Sequence, residues 1–441
     1  MNKSFKFFGF LYLLFAPLVV QAELFNADEF RLSNGLRCIV VQNHKAPVIK
    51  HMLWYNVGAV DEQVGKGGVA HLLEHLMFRG TKNFPDGEFN NIMHKHGVES
   101  NAFTSHDFTV YHQFADISKL EALMRMEADR MQNLSFTDEA FMAERNIVFQ
   151  ERKQVVENNP LTVANERLRL SLWGNSPYAH PVTGHNEEIE NLTKQDVMEF
   201  YQRYYAPNNA ILILAGDIDI KTAEKLVKKY YGSIPEREIQ RENIGKEKGI
   251  IKQSMEINIP DIEKTRIVYK FLLPNFSEIK DKIYSYDVLA QYLGNGKTSY
   301  MYKDLVVNKG IAEQVSVFSS CTKSSNCLFT VNIVPAENVS LDELQDTVKT
   351  SISNALNEFD LDKLNLVKKK LVSSLIFAND NPEDAAYTIG YLLTLGFSLS
   401  DIQNCEESIM AINLSDILMA YEQIFENTSR IKAIIMGQNN E

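Results

Sequence analysis

The chain is poor in cysteine and tryptophan, with four of the first and two of the second in 441 residues. No two cysteines form a Cys-x-x-Cys pair, which removes zinc knuckles and dithiol redox centres. Cys321 and Cys327 flank Thr-Lys-Ser-Ser-Asn between two strand-like runs. That spacing permits a hairpin staple without requiring one, because a chain this long can be stable without disulfides. Basic residues are also in deficit, 45 against 57 acids for a net charge of −12. Such a balance argues against a general nucleic-acid binder. Beyond residue 22 no apolar run is long enough to span a bilayer, so no integral membrane segment is expected after the N-terminus.

The N-terminus itself is apolar. Lys3 and Lys6 precede the run Phe7–Val20, and Val20-Gln21-Ala22 offers small residues at the two positions a signal peptidase reads. Residues 1–22 therefore read as a secretory signal. Pro17 interrupts the run, and no cysteine follows Ala22 to carry a lipid. The chain is expected to be exported, and a short two-lysine signal fits a bacterial periplasm.

What remains divides in two. Residues 236–252 are charged, glycine-containing and poor in apolar side chains, and read as a linker between domains at 23–235 and 253–441. Near the end of the first domain, Asn191-Leu-Thr-Lys-Gln-Asp leads through a helical pattern to Ala210-Ile-Leu-Ile-Leu-Ala-Gly. Near the end of the second, Asn413-Leu-Ser-Asp leads to Ala433-Ile-Ile-Met-Gly over an almost equal span. Shared order, spacing and position point to duplication. The expected fold class is α+β: two homologous domains, each a mostly antiparallel sheet with helices on one face, closing as a clamshell.

Only the first half holds His71-Leu72-Leu73-Glu74-His75, in the apolar run Val69–Met77 that follows Gly65, Gly67 and Gly68. On a helix, positions i and i+4 share a face, so His71 and His75 can reach one ion. Glu74 lies on the same side, where it could polarise a water; this is the inverted zinc-peptidase signature. The alternative is a solvated helix with incidental histidines. Two imidazoles do not complete a catalytic zinc site, which needs a third protein ligand and an open position. The helical run 137–157 places Glu144, Val148, Glu151 and Val155 on one face. Carboxylates on an apolar face need compensation, and a cation provides it. Glu151 is the expected third ligand for Zn2+, and Glu144 is expected to hold a ligand histidine's other nitrogen. Glu74 is the expected general base, with zinc polarising the scissile carbonyl.

With these residues in hand, the chain resembles the insulinase/pitrilysin family of zinc peptidases. It is most similar to short forms such as the mitochondrial processing peptidase β subunit and its exported bacterial relatives. That family's inverted motif is followed, at fixed distances, by a ligand glutamate and an accessory glutamate; here these fall on Glu151 and Glu144. The resemblance also implies that Asn101-Ala102-Phe103-Thr104 is a substrate-binding edge strand. Peptides would add to it through main-chain hydrogen bonds.

The second half departs from the family pattern. Members that use it carry Leu-Arg-Glu-x-x-Gly-Leu-Ala-Tyr, and the matching stretch here is Leu305–Glu313. Val306 stands at the arginine position and Glu313 at the tyrosine position, and neither can stabilise an oxyanion. The resemblance then implies a homologous, metal-less partner chain that supplies the arginine and tyrosine, with a homodimer as an alternative. A rival reading keeps the metal but not the catalysis, as a peptide-binding or scaffold subunit. His94, His96, His106 and His112 read as polar surface or strand histidines rather than ligands.

Overall fold

The computed structural model describes residues 24–241, 253–260, 262–426 and 429–437. The expected signal segment at 1–22 and most of the expected linker, 242–252, lie outside the described residues.

The first half runs β1 (Ala27–Arg31), β2 (Arg37–Gln42), β3 (Val48–Tyr55), α1 (Val69–Leu76), α2 (Glu88–Lys95), β4 (Glu99–Thr104), β5 (Thr109–Asp116), α3 (Leu120–Asn133), α4 (Asp138–Glu157), α5 (Pro160–Trp173), α6 (Asn186–Asn191), α7 (Lys194–Tyr204), β6 (Ala210–Gly216) and α8 (Ile220–Tyr231). The second half runs β7 (Gln253–Asn258), β8 (Arg266–Asn275), α9 (Phe276–Ile279), α10 (Ile283–Gly294), β9 (Ala312–Ser320), β10 (Asn326–Pro335), α11 (Leu341–Asn354), α12 (Leu361–Asp380), α13 (Pro382–Leu395), α14 (Leu399–Gln403), α15 (Cys405–Ala411), α16 (Leu414–Phe425) and β11 (Arg430–Met436).

The sheets have strand orders β1-β2-β6-β3-β5-β4 and β7-β11-β8-β10-β9. Set side by side, β2-β6-β3-β5-β4 matches β7-β11-β8-β10-β9. In each, the first pair is parallel and the other pairings are antiparallel. The duplication read from the two helix–strand ends therefore extends through whole sheets. Each is a mixed sheet with one parallel pair, within an α+β domain.

Strand β3 shows why its sequence is apolar almost throughout. Ile49, Leu53 and Tyr55 enter a core shared with α1, α3, α7 and α8, while Met52 and Trp54 enter a second core on the opposite face. Alternation of side chains along a strand means that both faces are buried. The expectation of helices on one face is thus incomplete. The second face of the first sheet is covered by α13, which belongs to the other half and packs on β2, β3 and β6. Gly390 of α13 lies so close to Trp54 that a Cβ would sit 2.2 Å from the indole ring.

The exchange is reciprocal. Ala164, Leu168 and Leu172 of α5, from the first half, join Ile257, Val268, Ile431 and Ala433 of the second sheet in one core. The exchanged helices also match. Each starts with proline preceded by asparagine, runs 14 residues, and follows a helix of 20 residues. Proline suits the first helical turn, where its missing N–H costs nothing. Pro160 accordingly begins α5 two residues after α4 ends at Glu157, with Asn158 and Asn159 between them. Asn191 closes α6, and it is Thr193 that caps α7, accepting from the Asp196 N–H.

Polar contacts reinforce the interlock. Lys50, buried on β3, meets Glu383 of α13 at 2.5 Å, and Lys45 meets Asp380 at 2.9 Å. Cys321 and Cys327 form a disulfide in the β9–β10 hairpin. The tip of that hairpin reaches the first half, where the Lys323 N–H donates to Asp107 and the Ser324 N–H to the Tyr178 hydroxyl. Cys38 and Cys405 are free and buried. No helix among the described residues is long and apolar enough to cross a membrane.

Candidate metal centre

Helix α1 is set by its entry. Gly68 adopts φ +86°, and a Cβ there would meet the Thr183 carbonyl oxygen at 2.7 Å. The exposed amides of the first turn are taken up by Glu62, which accepts from the Gly68 and Ala70 N–H groups at 3.0 and 2.9 Å. Burial pushes the Glu62 carboxyl up to about 8 despite those bonds. Leu72, Leu73 and Leu76 then anchor one face of the helix in the core, while the histidine face turns toward α4.

On that face three donors converge. The Nε2 atoms of His71 and His75 lie 3.8 and 3.5 Å from the same Glu151 carboxylate oxygen. All three donor atoms fall within 4.8 Å of one another. Two ligands held about 2.1 Å from one tetrahedral ion stand roughly 3.4 Å apart, so this spacing suits a shared ion better than direct hydrogen bonds. Two imidazoles and a carboxylate form a donor set that Zn2+ takes readily.

The surroundings fix the donors. The His75 Nδ1 atom lies 3.0 Å from Glu144, which holds a proton on Nδ1 and turns Nε2 toward Glu151. Glu144 is in turn held by Arg79 at 2.5 Å and is only 8% exposed, whereas Glu151 is 42% exposed. The accessory acid is locked in, and the expected ligand faces open space. His71 Nδ1 is buried without a hydrogen-bond partner among the described residues. The face expected from sequence rises to the surface along α4: Val148 is fully buried and Val155 is exposed.

The protonation equilibria are pulled apart. Burial lowers His71 to about 4, helped by the charge of His75. His75 is also disfavoured by burial, but its hydrogen bond to Glu144 and the nearby Glu151 carboxylate raise it to about 9. His75 beside it lowers Glu151, and Glu144 is lowered by His75 and Arg79 against the effect of its burial. Glu74 sits beside the pair, and burial raises its carboxyl although Thr104 donates a 2.5 Å hydrogen bond to it. Raising the carboxyl group in this way strengthens it as a proton acceptor.

Thr104 comes from β4, the edge of the first sheet. The same strand carries Asn101, exposed, with Ala102 and Phe103 half-buried, in register with His112, Tyr111 and Val110 of β5. The edge therefore runs directly past Glu74. Val306 packs against the apolar core of the second half, and Glu313 at the start of β9 pairs with Lys264. Sequence reading missed Thr104, Arg79 and Glu62 as partners of the site. Thr104 stood within the edge-strand motif, but its contact with Glu74 depends on how β4 lies across α1. Glu62 and Arg79 flank the histidine helix, and only its packing shows what they bind. His94 and His96 are exposed, His106 binds the His180 carbonyl, and His112 contacts Lys50.

Comparisons with known proteins agree with this geometry. Residues 37–186 match the family profile "Insulinase (Peptidase family M16)", and residues 191–371 match "Peptidase M16 inactive domain". The chain is 29% identical to the zinc protease PqqE of Helicobacter pylori, over 95% of this chain and 94% of that protein. The crystal structure of a protease from H. pylori superposes with a TM-score of 0.85 at 25% identity, covering 93% of this chain and 99% of the other. The periplasmic protease PqqL of Escherichia coli shares the fold, with a TM-score of 0.78 at 18% identity. There 93% of this chain covers 47% of that one.

Proposed function

Because the chain belongs to the insulinase family of zinc peptidases, peptidase family M16, we propose that it is an exported endopeptidase subunit for unfolded peptides. The convergence of His71, His75 and Glu151 beside Glu74 carries this reading. His71 and His75 Nε2 and the Glu151 carboxylate are the residues that would hold Zn2+. When bound, the ion supplies Lewis-acid polarisation of the scissile carbonyl and of the attacking water. Glu74 accepts the proton of that water and returns it to the leaving amine. Thr104 fixes the carboxylate for this exchange. Strand β4 aligns the substrate through main-chain bonds, with Asn101, Ala102 and Phe103 along its path, so selection rests on extended conformation more than on side chains.

The periplasm is the proposed compartment. The charged-then-apolar residues 1–22 support it, and so does the shared fold with a periplasmic protease. A homologous, metal-less partner is proposed to supply the arginine and tyrosine replaced by Val306 and Glu313. The E. coli relative supports a paired arrangement, since its matching half is joined to a further stretch of similar length. The test is cleavage of a peptide library by the exported chain, alone and with its co-purified homologue, with and without chelator. Chelator-sensitive cleavage that rises with the partner supports the reading. Full activity of the lone chain would remove the partner, and cleavage indifferent to chelator would remove the zinc mechanism.

A further inference from the structure

A second group of metal-binding side chains lies away from the first. His180, His185 and Glu188 bring one donor atom each within 4.8 Å of one another. Their approach is built by the backbone. The Gly184 N–H donates to the Pro181 carbonyl at 2.9 Å, and this turn folds His185 back beside His180, with ring centroids 5.7 Å apart. Glu188 is placed three residues on, where it accepts from the His185 N–H at 3.2 Å and lies against Gly67. On the other side, His106 Nε2 meets the His180 carbonyl at 3.0 Å, which holds that backbone while the imidazole stays exposed.

We propose that His180, His185 and Glu188 form a second binding site for a divalent transition-metal ion of the zinc class. Imidazole and carboxylate donors favour such ions over magnesium or calcium, which take oxygen-rich sets. Both histidines are exposed, so the ion exchanges with solvent and binds more weakly than one held between α1 and α4. The turn that presents these ligands also touches the elements of the first centre. The Thr183 carbonyl abuts Gly68 at the entry to α1, and the Thr183 hydroxyl lies 3.5 Å from Arg152, the residue after Glu151. Occupancy of the second site therefore stiffens the loop against which both metal-bearing helices rest.

The proposal does not require the first centre to be catalytic, and its test separates the two. The chelator-stripped full chain is titrated with Zn2+ against a competing indicator, and its Co2+ complex is followed by visible absorption. The wild-type chain takes up two ions, the second at least tenfold more weakly. A His180→Ala/His185→Ala variant takes up only the tighter one. A His71→Ala/His75→Ala variant keeps the weaker one and shows the intense visible bands of Co2+ in a low-coordinate nitrogen and oxygen site. Uptake of one ion by the wild-type chain would overturn the proposal, and so would two ions in the His180→Ala/His185→Ala variant. Retention of the weaker ion alongside loss of cleavage in the His71→Ala/His75→Ala variant supports both readings at once.

Discussion

The two halves have matching strand orders and matching long helix pairs, yet among the described residues only the first brings histidines and carboxylates together as candidate metal ligands. Helix α1, between β3 and β4, holds His71, Glu74 and His75; α10, between β8 and β9, holds no histidine. Helix α4 carries Glu144 and Glu151. Its counterpart α12 has no carboxylate between Asp362 and Asp380, and Val367 and Ser374 stand at the corresponding places along the helix. The same backbone thus serves two purposes. In α10 the freed positions go to packing, and Ile283, Tyr286, Val288, Leu289 and Leu293 are all buried. In α1 three polar side chains, His71, Glu74 and His75, are turned from that role, at a cost offset by interactions among the histidines and glutamates. Chemistry here is a matter of which side chains line a shared scaffold, not of the scaffold itself.

The sharpest way to break the comparison is to remove the base and leave the ligands. Glu74→Gln is expected to lower peptide cleavage roughly 10²- to 10⁴-fold while zinc content stays at the wild-type level. Steady-state cleavage beside metal analysis checks this, and metal loss in that variant would contradict the role given to Glu74. Next come the ligands: His75→Ala or Glu151→Gln should lose the tightly held ion and cleavage together, whereas Ser373→Ala and Ser374→Ala in α12 should lose neither.

Glu144→Gln weakens the hold on His75 and should reduce zinc affinity about 10- to 100-fold, read by competition with a chelating indicator. The pH dependence sharpens the same point. In the metal-free protein His75 is raised from 6.5 to about 9, so its contribution to stability is complete below about 6.5 and lost as the pH rises through 9. Zinc must displace that proton, so apparent affinity should climb steadily from pH 7 to pH 9 and then level. In the Glu144→Gln variant the levelling point should move to lower pH. The smallest effect concerns the scaffold. Gly390→Ala drives a methyl group into Trp54 and should cost about 1–3 kcal/mol of stability by denaturant unfolding, with the metal site intact.

Much of this was legible in the chain. The His71–His75 spacing required a helix to mean anything, and the apolar run around it supplied one. Glu144 and Glu151 were visible because carboxylates recur at a helical interval among apolar residues. The duplication showed through its two helix–strand ends. What could not be read was the helix exchange, since α5 and α13 are ordinary amphipathic segments whose partners lie in the other half. Thr104 and Arg79 escaped for a similar reason. Neither shows in sequence what it contacts, and each joins the site only because α1, α4 and the β4 edge meet at one place.

The measurement that bears most directly on the metal centre is anomalous diffraction at the zinc edge from crystals of the zinc-loaded chain. The strongest peak is expected between the Nε2 atoms of His71 and His75 and the Glu151 carboxylate, with Glu74 beside it. Absence of a peak there, or a Glu151 side chain turned away from it, would rule out these three residues as the zinc ligands.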